Sequence, residues 1–194
     1  MGKKYSILIM NPLKEKYQKE VISQMQEKFG YKNIFSVPKI EKVVVNVGVG
    51  SILRDEQVQQ LVAKDLAVIT GQKPIPTIAK KAISAFKVRK GMVVGYKVTL
   101  RGKRMFDFLA RLIHVALPRI RDFRGIDPKS VDSSGNLTIG IREHIVFPEV
   151  SQEEIKKIFG LEITVNTNAK SKEEALELFR FMGFPISKKS QSNK

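Results

Sequence analysis

Cysteine is absent from this 194-residue chain. Without it there is no disulfide, no thiolate metal site and no cysteine nucleophile. Histidine is scarce: His114 and His144 are the whole supply. His114, beside Ile113 in an apolar helical pattern, reads as a partly buried core residue. His144, beside Glu143 at a strand end, reads as an ordinary edge residue. No zinc-ligand, P-loop or nucleophile-elbow spacing occurs, so the chain is not read as an enzyme and no cofactor or metal is expected. No apolar run approaches the ~18 residues needed to span a bilayer, and Ile7 to Met10 is too short for a signal core. Acidic residues are few, 19 against 35 lysines and arginines, for a net charge of +16. A chain so basic repels itself, and a polyanion is its natural partner.

What is present alternates between two periods. Leu13, Tyr17, Val21, Met25 and Phe29 mark a helix stopped by Gly30. A second helix runs from near Asp55 to Thr70, with Gly71 as its stop. A third covers "KRMFDFLARLIHVAL" before Pro118. Ser151 with Glu154, and Ser171 with Glu174, have capping-box spacing and open two more. The strands are "KVVVNVGVG", "GMVVGYKVTLRG", "NLTIGIRE" and "LEITVNTN", and residues 119 to 136 form a long loop. The expected fold is α+β, with a mainly antiparallel sheet, helices on one face and the other face open. Residues 1–12 are an N-terminal extension, 13–184 one domain, and 185–194 a disordered basic tail.

Side chains alternate across a strand, so each strand separates into two faces. Val43, Val45, Val47 and Val49 oppose Val44, Asn46, Gly48 and Gly50. Val94, Tyr96, Val98 and Leu100 oppose Gly95, Lys97, Thr99 and Arg101. Leu137, Ile139 and Ile141 oppose Thr138, Gly140 and Arg142; Leu161, Ile163 and Val165 oppose Glu162, Thr164 and Asn166. Four times one face is apolar and the other carries short polar groups, glycine and bases. Glycine on a strand face often marks close approach by a ligand or another backbone, and neutral hydrogen-bonding groups suit ribose and phosphate. The glycines of "VGVGSIL" do not form a dinucleotide turn. The third glycine position is Leu53, and the nearest acid, Asp65, falls inside the second helix.

Charge is unevenly spread. Between Leu66 and Phe106 there are ten basic residues and no acidic one, whereas eight glutamates lie from Glu143 to Glu177. Lys73, Lys80, Lys81, Lys87, Arg89, Lys90, Lys97 and Arg101 all belong to the basic window. The segment "GQKPIPTIAKKAISAFKVRKG" is too long for a plain connection, and its Phe86 has the chemistry to stack on a base.

"FGYKNIFSVPKIEKVVVNVGVG", "ITGQKP", "AKKAISAFKVRKGMVVGYKVTLRGKRMFDFL", "ALPRIRDFRG" and "GNLTIGIREHIVFPEV" together resemble the bacterial-type large-subunit ribosomal protein five family, from about Leu13 to Phe184. The resemblance implies a structural protein of the central protuberance, cytoplasmic within the ribosome. It implies binding to 5S ribosomal RNA (5S rRNA), with contacts to 23S rRNA, peptidyl-site transfer RNA (P-site tRNA) and small-subunit ribosomal protein thirteen at an intersubunit bridge. Asn46, Gln72 and Thr99 match family residues that hydrogen-bond 5S RNA. Gly48, Lys73, Lys97 and Arg101 extend that set across the open face and basic window. Lys80, Lys81, Phe86, Lys87, Arg89 and Lys90 match the 73–90 loop that reaches transfer RNA, and the stretch from Arg124 to Gly140 would face the bridge. "VDSSGNL" stands where the family loop carries an arginine. Composition alone also allows a free-standing RNA chaperone or a nonspecific nucleic-acid-binding module. A phosphate-handling enzyme is a third reading and would need an acid–base pair that the sequence does not offer.

Overall fold

A computed structural model describes residues 12–50, 55–86, 88–150 and 157–187. The chain enters through α1 (Pro12–Lys16), a π-helical turn (Tyr17–Val21) and α2 (Ile22–Phe29), with Leu13, Val21 and Met25 buried. Gly30 ends this run in the left-handed conformation, φ 71°, which glycine adopts without a side-chain penalty. Strand β1 (Ile40–Gly48) follows, then α3 (Glu56–Thr70). Asp55 caps α3 by accepting from Val58 N at 3.0 Å, and Gly71 closes it with φ 67°. Strand β2 (Ile75–Ile78) and strand β3 (Val93–Leu100) lead into α4 (Gly102–Arg111), which continues as a π-helical turn to Ala116. Strands β4 (Leu137–Ile141) and β5 (Leu161–Thr167) precede α5 (Lys172–Met182). Ser171 Oγ accepts from Glu174 N at 3.2 Å, and Glu174 Oε2 accepts from Lys170 N at 2.9 Å. The spacing of Ser171 and Glu174 thus does open a helix. The other capped helix expected, at Ser151, lies outside the described residues.

The strands form one sheet in the order β2-β3-β1-β5-β4, and every strand pair is antiparallel. Val43, Val45, Val98, Leu100, Leu137, Ile163 and Val165 bury one face against Met25, Leu66, Ile69, Phe108, Leu112 and Phe179. Phe108 stacks on Phe147 at 6.0 Å between centroids, and Phe179 meets Phe184 edge-on at 5.2 Å. The fold is α+β, as the periodicities imply.

Two features depart from the linear reading. The connection from Gly71 to Val93 contains a strand, β2, paired along β3 from Ile75↔Lys97 to Ile78↔Val93. Residues 119–136 include a 3-10 turn at Pro128–Ser130, and Ile126 is tied to the chain's end. There Ile126 N donates to Pro185 O at 2.7 Å, and Ser187 N donates to Ile126 O at 2.9 Å. The chain therefore stays in the fold through Ser187. Residues 1–11 and 188–194 lie outside the described residues.

Candidate nucleic-acid interface

The register turns the alternating sequence into rows on the open face. Asn46 stands between Lys97 on β3 and Glu162 on β5, and Glu162 in turn faces Gly140 on β4. The next row joins Thr99, Val44, Thr164 and Thr138. Asn46, Lys97, Thr138, Gly140 and Glu162 are exposed, and Thr99 and Thr164 half-buried. Thr138 and Thr164 hydroxyls share a hydrogen at 3.4 Å, and Asn166 Nδ2 donates to Asn136 Oδ1 at 3.1 Å. The result is a shallow surface of short donors and acceptors with few long side chains above it.

Gln72 joins this surface through a contact that the sequence does not foretell. Strand β2 stops covering β3 at Lys97, which would leave the Thr99 carbonyl as a bare edge acceptor. Gln72 Nε2 donates to that carbonyl at 3.2 Å, and Arg104 Nη1 donates to Gln72 Oε1 at 3.5 Å. The Gln72 amide thus extends the ladder past the end of β2 and leaves the Thr99 hydroxyl for a partner. Arg104, at the start of α4, is one of the ten cations of the basic window, but nothing in the sequence pairs it with Gln72. Thirty-two positions separate it from Gln72, so no local pattern could have pointed to it. Lys73 and Arg101 are exposed at the same corner.

The glycines of this face fall into two kinds. A Cβ on Gly48, Gly50 or Gly140 would meet nothing within 4 Å. On Gly95 it would lie 2.7 Å from the Val47 carbonyl oxygen. Gly95 is buried, so its bareness serves the β1–β3 pairing and not a ligand. Of the two causes open to a strand glycine, close approach by a ligand or by another backbone, Gly95 has the second.

The basic segment is a projecting hairpin more than a loop. Ala79 N donates to Met92 O at 2.9 Å, Gly91 N to Ala79 O at 3.0 Å, and Ile83 and Val88 exchange both bonds. Lys80, Lys81, Arg89 and Lys90 are exposed around its tip. Phe86 is 71% exposed, so it is no packing anchor and its ring is free to stack. Lys87 lies outside the described residues.

Both histidines differ from expectation. His114 is exposed, because it faces away from the buried Leu112 and Ile113. His144 is wholly buried, stacked on Phe159 at 3.8 Å, its Nδ1 accepting from Phe159 N at 3.4 Å and its Nε2 3.6 Å from an Asp65 oxygen. An acceptor Nδ1 places the proton on Nε2, toward Asp65. Burial holds this imidazole below its ordinary range, with the Asp65 carboxylate pulling partly the other way. When the folded value is depressed, the unfolded chain takes up the proton first as pH falls. Stability from this site is complete above about pH 6.5 and drains away below it. Thermal unfolding of the wild type should therefore weaken on acidification through that window more than that of His144→Phe. Parallel curves for the two proteins would clear His144 of the effect.

An open cleft of about 670 Å³ lies beside the far end of β4, bordered by Arg119, Arg121 and Arg142 together with Asp122 and Glu143. Among the described residues no group of three or more histidine, aspartate or glutamate side chains is placed to hold a metal. No helix among them is long and apolar enough to cross a membrane.

Known proteins share the chain that builds this surface. The profile of the family described as Ribosomal protein L5 matches residues 33–89, and the profile of that ribosomal family's C-terminus matches 93–186. The chain belongs to the ribosomal protein L5 family. A large ribosomal subunit protein uL5 of Halothermothrix orenii is 53% identical over 91% of this chain and 99% of its own length. Its counterpart in Thermosipho melanesiensis is 51% identical over 90% and 96%, and that of Colwellia psychrerythraea 49% over 93% and 99%. The first L5 match holds β1, α3, β2 and the basic hairpin as far as Arg89, and the second holds β3 through α5. Their strands interleave in one sheet, and the open face draws on both.

Proposed function

We propose that this L5-family protein of the large ribosomal subunit works as a structural RNA-binding constituent. Its open sheet face takes 5S ribosomal RNA, and its basic hairpin reaches a second RNA. The observation that carries the reading is Lys97 and Asn46 in one row beside Thr99 and Gln72: hydrogen-bonding groups on a one-sided sheet, next to a basic corner at Lys73, Arg101 and Arg104. Such a face suits the wide minor groove and 2′-hydroxyls of folded RNA, which is read chiefly by shape. The hairpin tip, with four exposed cations and an exposed aromatic ring, suits the backbone and bases of P-site transfer RNA. The 124–140 stretch faces small-subunit ribosomal protein thirteen at the intersubunit bridge, and other parts of the surface meet 23S rRNA. The domain, which runs on from 184 through Ser187, acts as one unit in the cytoplasm as part of the ribosome, without chemistry of its own.

The test is a titration against 5S RNA and a length-matched folded RNA across a series of salt concentrations. Binding to 5S RNA should outlast the control as salt rises, while the electrostatic part of each isotherm falls with a slope of about −0.9 per phosphate contact. Coincident curves would leave only charge, the behaviour of a nonspecific RNA chaperone. Thr99→Ala removes a hydroxyl from the face but leaves its backbone bond to Gln72. It should remain folded and lose on the order of 1 kcal/mol of 5S affinity. A folded variant that binds as tightly as the wild type would remove Thr99 from the site.

A further inference from the structure

The open face carries one group that a polyanion should reject. Among the outward residues of β3, β4, β5 and the registered part of β1, Glu162 is the sole carboxylate. It is exposed on β5, one strand in from the sheet edge, flanked across the strands by Asn46 and by the bare Gly140. Lys97 lies on the far side of Asn46, two strands away. Among the described residues no ion pair reaches Glu162 from Lys97, Arg142 or any other cation. A carboxylate is an acceptor only, and none of those residues satisfies this one.

A phosphate brought beside it would be repelled in a partly desolvated interface. RNA can lie against this point only by presenting a hydrogen-bond donor. We propose that Glu162 is a specificity-determining residue of the RNA face. Its carboxylate accepts from an RNA donor, a guanine amino group or a ribose 2′-hydroxyl, and so fixes the register in which the RNA docks. The bare Gly140 beside it, where a Cβ would meet nothing within 4 Å, leaves room for a base edge or sugar to approach. This inference rests on the open face being the RNA surface. It adds that the face discriminates between RNAs by one charge of the unfavourable sign, a device that weakens wrong partners more than the right one.

The opposed signs of the two effects make the test. Glu162→Ala should lower affinity for 5S RNA about tenfold, the size of a lost charged hydrogen bond, while affinity for the length-matched control stays level or rises. Glu162→Gln keeps an acceptor oxygen and should retain part of the preference. Analogue interference with 5S RNA carrying either inosine or 2′-deoxynucleotides then separates the donors. The wild type should show a site of interference with one of the two pools, and Glu162→Ala should lose that site. The inference is overturned if both substitutions raise binding to both RNAs in the same proportion, if neither changes the ratio, or if no interference site depends on Glu162. The wild type's own preference for 5S RNA, read in the same titrations, tests the RNA assignment separately.

Discussion

Gly95→Ala is expected to cost about 1–3 kcal/mol of folding stability, whereas Gly48→Ala, at the position paired with it across β1, is expected to cost less than about 1 kcal/mol. The two residues face each other in the same register, and both lie on the open side of their strands. They differ in what a methyl group would touch. At Gly95 the added carbon would sit 2.7 Å from the carbonyl oxygen of Val47 and 3.6 Å from its carbon. Those atoms are main chain in the centre of the sheet, so they cannot swing away as a flexible side chain would. Relief has to come from separating β1 and β3, the pairing that holds Asn46 opposite Lys97. At Gly48 the same carbon enters empty space. Chemical denaturation of the two variants measures the difference directly. The midpoint should fall for Gly95→Ala with an unchanged slope, since the surface exposed on unfolding is the same. A Gly95→Ala protein as stable as the wild type would mean that the strands relax at little cost. Gly48→Ala, which keeps the fold and the spacing of the face, should bind RNA as the wild type does.

This pair shows what was legible in the sequence and what was not. Buried valine at every second position of β1, and the alternation of Leu, Ile and Val with Thr, Gly, Glu and Asn in β4 and β5, require a sheet with one dry and one wet face. A period of two allows no other placement. Helix ends were equally readable, because Asp55, Ser171, Gly30, Gly71 and Gly183 act through local backbone geometry. What could not be read depends on distance in the chain. Gly48 and Gly95 look alike in sequence, and only the approach of Val47 separates them. Strand β2 carries Pro76 in a four-residue run along the sheet edge, where a missing N–H is tolerated, and its composition resembles a loop. His144 is buried by Asp65 and Phe159, neither of which its local sequence announces. The link from Gln72 to Thr99 exists because β2 ends one rung too soon, a fact of register alone.

Lys97→Glu should reduce affinity for 5S RNA by about ten- to hundredfold, while the double change of Lys80 and Lys81 to glutamate should leave it within about threefold. Lys97 is exposed between Asn46 and Ile75, in the middle of the open face. Reversing it removes a charged donor and puts an unpaired carboxylate where phosphate would approach, on the far side of Asn46 from Glu162. Lys80 and Lys81 sit on the hairpin tip beyond the Ala79–Gly91 bond. The strand from Gly91 to Lys97, at ~3.3 Å per residue, puts that tip about 20 Å away. At physiological salt the screening length is about 8 Å, so the tip's charge is nearly silent at the face. The same double change should disturb transfer RNA on the assembled ribosome, because the tip's cations and the exposed Phe86 are what a second RNA would meet. Filter binding to 5S RNA, and chemical footprinting of transfer RNA on subunits rebuilt with each variant, separate the two surfaces. If the hairpin variant loses 5S RNA as completely as Lys97→Glu does, face and hairpin act on one RNA, and the division of labour between them falls.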